Sequence, residues 1–313
     1  MNKEVLDYNS ILNNCGVGSL SSDTIIANIA NLSVDYDSEE IISIYNYLLH
    51  NTQEPEVLIG IIKLADNYRA ASTLSILLEI LKFETMFNSD EEEKYVDVRI
   101  MCAKAISNYK DTSTVVTLLD CMNNKKEHYR VRLACADALG RIGDKYAVKP
   151  LIDLIEDEEE KSVYLKESAT FALGILGDVS AIDPLVSILE SKHGFLGKFT
   201  FLKEKIVEAL GKLNFNNKKV LNALKNSLMD SSPMVRINAI EAIMNSESDD
   251  AIDLISPCLM DEDDDVKKNA LIALYNLSGR NILDDVLSSS KYSTYLKNEA
   301  QDLIDEYEDD ESE

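Results

Sequence analysis

Residues 131–155 read VRLACADALGRIGDKYAVKPLIDLI, and residues 165–189 read LKESATFALGILGDVSAIDPLVSIL. The two stretches align without a gap, with ALG on ALG, Gly-Asp on Gly-Asp, and Pro150 on Pro184. Two gapless copies of one pattern indicate that the chain is built from a repeated structural unit.

Each copy begins with a marker pair, an apolar residue followed by a basic one, and this pair recurs along the chain. The marker pairs are Val98-Arg99, Val131-Arg132, Leu165-Lys166, Leu202-Lys203, Val235-Arg236, Val266-Lys267 and Leu296-Lys297. A degenerate earlier copy starts at Val57. Self-similarity at a period of this size predicts a solenoid of supersecondary units.

Each copy predicts two helices. The first carries apolar residues at helical spacing, such as Val131, Cys135 and Leu139, so one of its faces is buried. Gly143 is a natural C-cap for this helix. Pro150 then lies early in the second helix, where the missing N–H costs least.

The pattern resembles the HEAT-repeat family, in particular the short HEAT-like repeats of phycobilisome lyases. The residues that carry the resemblance are Val131, Arg132, Ala138, Leu139, Gly140, Gly143 and Asp144, and again Ala172, Leu173, Gly174, Gly177 and Asp178. In the next copy the Gly-Asp pair is replaced by Asn216-Asn217. The resemblance implies an all-α fold, a right-handed α-solenoid of about seven to eight helical pairs. We expect a helical N-terminal cap over 1–56, the repeat solenoid over 57–305 and an acidic tail over 306–313.

The composition restricts the partners. The chain has 56 acidic and 31 basic side chains and a formal net charge of −25. This charge argues against binding to nucleic acid or to an anionic membrane surface, and it suits a basic protein partner. The five cysteines are scattered without a C-x-x-C pair, so we expect buried thiols in a reducing compartment. The polar start and the short apolar runs favour a cytoplasmic location.

Catalytic motifs are absent from the sequence. The three histidines are dispersed, and no phosphate-binding glycine loop or nucleophile elbow occurs. HEAT-like di-iron hydroxylases rely on repeated His-Glu pairs, and this chain has none. We therefore expect no enzymatic activity, no catalytic residues, no metal site and no cofactor.

The basic residue of each marker pair has two interpretations. It could form a cationic track along the solenoid, or it could form a ladder of ion pairs with acids in adjacent turns. In a chain this acidic, the ladder is the favoured interpretation.

Runs of acidic residues come directly before three of the markers. The acids that we predict to contact a partner are Glu91, Glu92, Glu93, Asp157, Glu158, Glu159, Asp263 and Asp264. Equivalent turns of a solenoid fall along one edge, so these residues would form an acidic edge that attracts a basic protein. The alternative is that they only favour the dipoles of the helices that follow.

Apolar anchors are expected at two places. Phe195, Leu196 and Phe199 lie in a long insertion, a common binding position in repeat arrays, although the insertion could instead fold back on its own repeat. Phe171, Ile175 and Asp137 are expected in a groove along the first helices. The alternative for Phe171 is packing on a neighbouring helix.

The favoured function is thus non-catalytic binding of a basic protein, as in an inhibitor or immunity protein that neutralises a basic toxin. A general scaffold or adaptor, or a protein resembling a bilin lyase or chaperone, is the alternative. The lyase alternative follows from the repeat type alone.

Overall fold

The computed structural model describes residues 6–82, 93–190, 200–213, 217–246 and 248–310. Residues 307–310 are described by their backbone only. Throughout these ranges the chain forms α-helices, short 3₁₀ helices and turns. Its contacts divide it into two compact units, Met1–Pro150 and Leu151–Glu313. The predicted boundaries at residues 57 and 306 remain predictions.

The first unit holds eight α-helices and the start of a ninth. They are α1 (Tyr8–Asn14), α2 (Ser22–Asn31), α3 (Ser38–Asn51), α4 (Pro55–Ala65), α5 (Ala71–Lys82), α6 (Val96–Tyr109), α7 (Val115–Asn123), α8 (Tyr129–Ile142) and α9 (Val148–Glu156). The even-numbered helices α2, α4, α6 and α8 contact one another in series. The odd-numbered helices α3, α5 and α7 form a second series, so the unit consists of two layers of stacked helices.

The second unit repeats this arrangement. Its helices are α10 (Val163–Leu176), α11 (Ile182–Glu190), α12 (Thr200–Leu213), α13 (Lys218–Ser227), α14 (Pro233–Met244), α15 (Ala251–Ile255), α16 (Asp264–Ser278), α17 (Asn281–Ser288) and α18 (Thr294–Asp310). The helices α10, α12, α14, α16 and α18 contact one another in series and begin with the marker pairs. In the described part of the chain, pairs α2–α3 to α16–α17 give eight helical pairs, which confirms the all-α solenoid prediction. No helix among the described residues is long and apolar enough to cross a membrane.

The helix ends follow the Gly-Asp motif. Gly143 closes α8 with φ of +85°, a conformation that glycine adopts without strain. Asp144 then accepts a hydrogen bond from the Tyr146 amide at 2.9 Å and starts the next helical turn. Where the motif is lost, Asn217 accepts from the Lys219 amide at 2.9 Å, so asparagine replaces aspartate as the cap.

The basic residue of the marker pair is directed against the end of the preceding helix. Arg99 Nε donates to the Leu81 carbonyl at 2.9 Å, and Arg132 Nε donates to the Met122 carbonyl at 2.8 Å. Carbonyls in the last turn of a helix have no partner within that helix, and the negative end of its dipole favours a cation. The marker cation therefore acts as a C-terminal cap from the neighbouring helix.

The same cations also bind acids in the turn before the next marker helix. The pairs are Arg99–Glu127, Lys203–Asp230 and Arg236–Asp261. Arg99 binds both carboxylate oxygens of Glu127, and only 1% and 6% of these side chains are exposed. The ladder prediction is confirmed for these three cations, which are buried or mostly buried and do not form an exposed cationic track.

Small residues set the distance between neighbouring helices in the second unit. A Cβ added at Gly211 of α12 would lie 2.8 Å from the Ala242 Cβ of α14. A Cβ added at Gly174 of α10 would lie 3.0 Å from the Ala209 Cα of α12. A contact of 2.8 Å is one that real Cβ atoms essentially never make, so a side chain at Gly211 would displace its neighbour, and at Gly174 the neighbour would have to shift slightly.

We expect Gly211→Val to lower the free energy of unfolding by about 1–3 kcal/mol, since the added atoms must displace α14. Urea denaturation followed by circular dichroism measures the change. Asn222→Val is the control, because Asn222 is exposed on α13 and valine has a similar helix propensity. Equal effects of the two substitutions would contradict close packing at Gly211.

We expect Glu127→Ala to lower the free energy of unfolding by about 3–5 kcal/mol, because it leaves the buried Arg99 charge without its partner. Chemical denaturation of the single variant and of Arg99→Met, Glu127→Met tests this, and the double variant should recover part of the loss. Asp183→Ala breaks the exposed Lys219–Asp183 pair and should cost only about 0–1 kcal/mol. A loss of similar size in both single variants would count against a buried ladder.

Candidate functional site

Equivalent positions of neighbouring marker helices lie side by side, so the register of the repeat can be used to describe a surface. Asp97 of α6 and Arg130 of α8 each directly precede the apolar residue of their marker. Arg130 Nη2 lies 2.7 Å from Asp97 Oδ1. In the second unit, Asn238 lies three residues after the marker apolar residue of α14, and its Nδ2 donates at 3.2 Å to the carbonyl of Glu204, two residues after that of α12. Residues at the same or adjacent positions after the marker therefore lie near one another across neighbouring helices.

We call the solvent-facing side of α10, α12 and α14 the α10–α14 face. The residues six positions after the apolar residue of each marker pair are Phe171, Glu208 and Glu241. Those ten positions after it are Ile175, Lys212 and Asn245. Phe171 and Ile175, both predicted groove residues, lie on this face, where Phe171 is half-buried and Ile175 exposed. The structure thus brings these two predicted residues to one surface of the second unit.

Phe171 lies beneath two lysines of the neighbouring helix. Lys212 Nζ is 5.3 Å and Lys205 Nζ 5.9 Å from the centroid of the Phe171 ring. Both ammonium groups also donate to the Glu208 carboxylate, at 2.6 and 2.9 Å. Part of the Phe171 ring is therefore engaged by α12 through cation–π contacts, as expected from the alternative of packing on a neighbouring helix.

A cleft of about 320 Å³ lies between α12 and α14. Its lining residues are Glu208, Gly211, Lys212, Asn238, Glu241, Ala242 and Asn245. Two of the lining residues, Gly211 and Ala242, are small and buried, and the others carry polar side chains. The cleft is a depression on the α10–α14 face whose exposed lining is mainly apolar.

The carboxylates of this face differ in their electrostatic environments. Burial raises the pKa of Glu208, but hydrogen bonds from Lys212 and Lys205 outweigh it and leave the pKa below its ordinary value. The pKa of Glu167 is raised by burial and further by the nearby Glu204, and these effects exceed the opposing effect of Lys205. Burial also raises the pKa of Glu204. Glu167 and Glu204 are thus less favourably placed as anions than in water.

The acids before α10 and α16 have two roles. Asp157 accepts from the Glu159 amide at 2.8 Å, and Asp263 caps α16 by accepting from the Asp265 and Val266 amides. These capping carboxylates stabilise local structure. Exposed acids remain at Glu158, Glu159, Glu262, Asp264 and Asp265.

We call the turns and first residues of the marker helices in the second unit the turn edge, which comprises residues 157–164, 200–201, 229–234 and 260–265. Of the eight acids predicted to form the acidic edge, five lie at the turn edge and two lie outside the described residues. Those at the turn edge are Asp157, Glu158, Glu159, Asp263 and Asp264. Asp264 also forms an ion pair with Lys267 at 2.6 Å.

The other predicted partner-binding residues lie elsewhere. Asp137 lies half-buried on α8, and Glu93 lies exposed in the first unit, with its Oε1 3.9 Å from His128 Nε2. Five predicted residues lie outside the described part of the chain: Glu91, Glu92, Phe195, Leu196 and Phe199. The role of each remains a prediction.

Sequence reasoning missed the large apolar side chains that are exposed at the turn edge. Tyr164, Phe201 and Met234 each directly precede the apolar residue of a marker pair, and each is at least half exposed. A comparison of this register position between repeats is the signal that could have found them. The apolar stripe of each helix, on which the prediction relied, does not include this position.

The two-layer stack of helical pairs, with a buried or mostly buried basic side chain in several of the repeats, defines an α-solenoid repeat protein. A family model described as HEAT repeats matches residues 89–164, 124–196 and 201–275, more than half of the chain. The chain belongs to the HEAT-repeat family, whose repeats form protein-binding scaffolds. A comparison with curated proteins gives no match.

Several solved structures share the fold. An engineered protein has a TM-score of 0.50 and 17% identity, over 95% of this chain and 87% of its own. Kap121p has a TM-score of 0.51 and 13% identity, over 94% of this chain and 36% of its own. The CpcE–CpcF complex of phycocyanin lyase from Nostoc sp. PCC7120 has a TM-score of 0.46 and 19% identity, over 74% of this chain and 94% of that chain. At these identities the likeness of the first two is one of fold.

We expect Glu167→Gln to raise the free energy of unfolding at pH 7. The folded protein holds the pKa of Glu167 above its unfolded value, so ionisation of this carboxyl opposes folding as the pH rises through the folded pKa. The gain should disappear below about pH 4, where the carboxyl is protonated in both states. Denaturation at a series of pH values measures it. Glu158→Gln, at an exposed position, is the control and should change stability by less than about 0.5 kcal/mol. A gain that persists at low pH would contradict this explanation.

Proposed function

We propose that this protein is a non-catalytic binding module of the cytoplasm that holds a basic protein partner on the turn edge and the α10–α14 face of its second unit. HEAT repeats provide extended surfaces for such binding. The single observation that carries the proposal is the set of exposed acids remaining at the turn edge after the caps and the ladder are formed.

The distribution of charge supports this choice of unit. Residues 151–313 contain 34 acidic and 16 basic side chains, whereas residues 1–150 contain 22 and 15. Most of the net charge of −25 therefore belongs to the second unit. A field of this sign would speed the encounter with a basic protein and would make the association rate depend on salt.

The chemistry of the cleft supports binding over catalysis. The Glu208 carboxylate that lines it is held by Lys205 and Lys212, and its pKa lies below the ordinary value. A general acid or base needs a pKa close to the working pH. Glu208 is suited to fixing the two lysines on the face, not to transferring a proton.

Within this proposal, the partner is a basic toxin that the protein neutralises as an inhibitor or immunity protein. The exposed acids would pair with the cationic surface that such a toxin uses, and a stable one-to-one complex would block it. A general adaptor would use the same surface for several partners. Identification of the bound proteins separates these two functions, since one dominant toxin indicates an inhibitor and several unrelated proteins indicate an adaptor.

The charge-reversed variant carries the substitutions Glu158→Lys, Glu159→Lys, Glu262→Lys and Asp265→Lys. We expect it to lose basic partners that the unmodified protein captures from lysate of the native cells. The four acids are exposed, so the variant should fold while the field of the turn edge is reversed. Capture at 50 mM and 500 mM salt, followed by mass spectrometry, identifies the partners and the salt dependence.

The matched control reverses four exposed acids of the same unit that lie outside the turn edge: Asp249, Asp253, Asp285 and Asp302. This control has the same net charge and should retain the partners at 50 mM salt. Equal loss in both variants would mean that only net charge matters. Capture of acidic proteins, or capture that does not change with salt, would overturn the proposal.

A further inference from the structure

Three consecutive marker helices expose a large apolar side chain at the same register position. Tyr164 of α10, Phe201 of α12 and Met234 of α14 each directly precede the apolar residue of the marker pair. Their exposed fractions are 67%, 72% and 50%. Because α10 contacts α12 and α12 contacts α14, these side chains form one row across three helices. We call it the apolar row.

Two further exposed methionines lie in the turns beside this row. Met229 and Met260 both lie six residues before the apolar residue of a marker pair, at equivalent positions of successive turns. Both side chains are more than half exposed. Scattered apolar residues on a surface need no explanation, but five at two repeated positions of one edge form a patch.

In the first unit, the residues at the same position before the marker are charged and not apolar. Before the markers of α6 and α8 the residues are Asp97 and Arg130, which form an ion pair across the two helices. This position therefore does not require an apolar side chain for folding. Its apolar side chains in the second unit thus call for a reason other than the stability of the repeat.

The surroundings of the apolar row identify the chemistry of its partner. The turn edge exposes acids beside the row, among them Glu158, Glu159 and Glu262. A second copy of this chain would bring the same negative charge, and an anionic membrane surface would be repelled. A basic protein segment with apolar side chains matches both the charge and the apolar surface.

We infer that the apolar row is the docking site of a basic amphipathic helix of the partner, which lies across α10, α12 and α14. Neighbouring helix axes are about 8–10 Å apart. Seven residues of a helix rise about 10 Å, so apolar side chains at i, i+7 and i+14 would each meet one member of the row. Lysine or arginine residues beside them would face the acids of the turn edge. This inference rests on the proposed function and specifies the part of the partner that is bound.

Two fluorescent peptides of about 18 residues, both made of lysine and leucine, test the inference by fluorescence anisotropy. One has its leucines on a single helical face, and the other has the same composition with its leucines on all sides. We expect the protein to bind the first at least about tenfold more tightly than the second. The variant Tyr164→Ser, Phe201→Ser, Met234→Ser should lose this preference but keep salt-dependent binding of both peptides.

The control variant removes three exposed apolar residues outside the turn edge, Val116→Ser, Val179→Ser, Ile252→Ser, and should keep the preference. If the row variant distinguishes the peptides as well as the unmodified protein does, or if the unmodified protein does not distinguish them, the inference is overturned while the proposed function stands. If neither peptide shows salt-dependent binding, or if the charge-reversed variant binds both as tightly as the unmodified protein, the proposed function fails as well.

Discussion

The structure depends on a buried cation that connects three elements. In α6 and α8 the marker cation donates to a carbonyl at the end of the preceding helix, and in three repeats it binds an acid in the turn before the next marker helix. A charge in this position is costly to remove from water, and the carbonyls and carboxylates that accept from it offset that cost. In these three repeats, the cation therefore links successive helices and explains why an acid recurs in the turn.

The pairing of the marker cation explains part of the acidic runs. Asp261 is needed by Arg236, and Asp263 is needed as the cap of α16, so two acids of this turn have structural roles. Glu262 and Asp265 lie between and after them and face solvent. A run of acids therefore combines a structural part, determined by the repeat, with an exposed part that the repeat does not explain. Only the exposed part supports a binding function.

The sequence was sufficient for the repeated features and insufficient for the others. Gly143 as a C-cap and the early Pro150 were predictable because each meets a local backbone requirement, and the marker pairs were predictable because they recur along the chain. The cap at Asn217 was missed, because the Gly-Asp motif was expected by identity and not by the ability of the side chain to accept an amide hydrogen bond. The contact of Phe171 with Lys205 and Lys212 could not be predicted, since it depends on which side chains of α12 meet α10.

The division into two units could also not be predicted from the sequence, because both units are built from the same repeat. Yet this division separates two different surfaces. At the position before the marker, the first unit joins Asp97 to Arg130, whereas the second exposes Tyr164, Phe201 and Met234. The second unit also holds Glu167 and Glu204 with pKa values raised by burial, an arrangement that opposes stability at neutral pH. A partner that brings apolar and cationic groups would cover the exposed apolar side chains and would stabilise the ionised forms of these carboxylates. The two observations are independent, and both support the proposal that the partner binds the second unit.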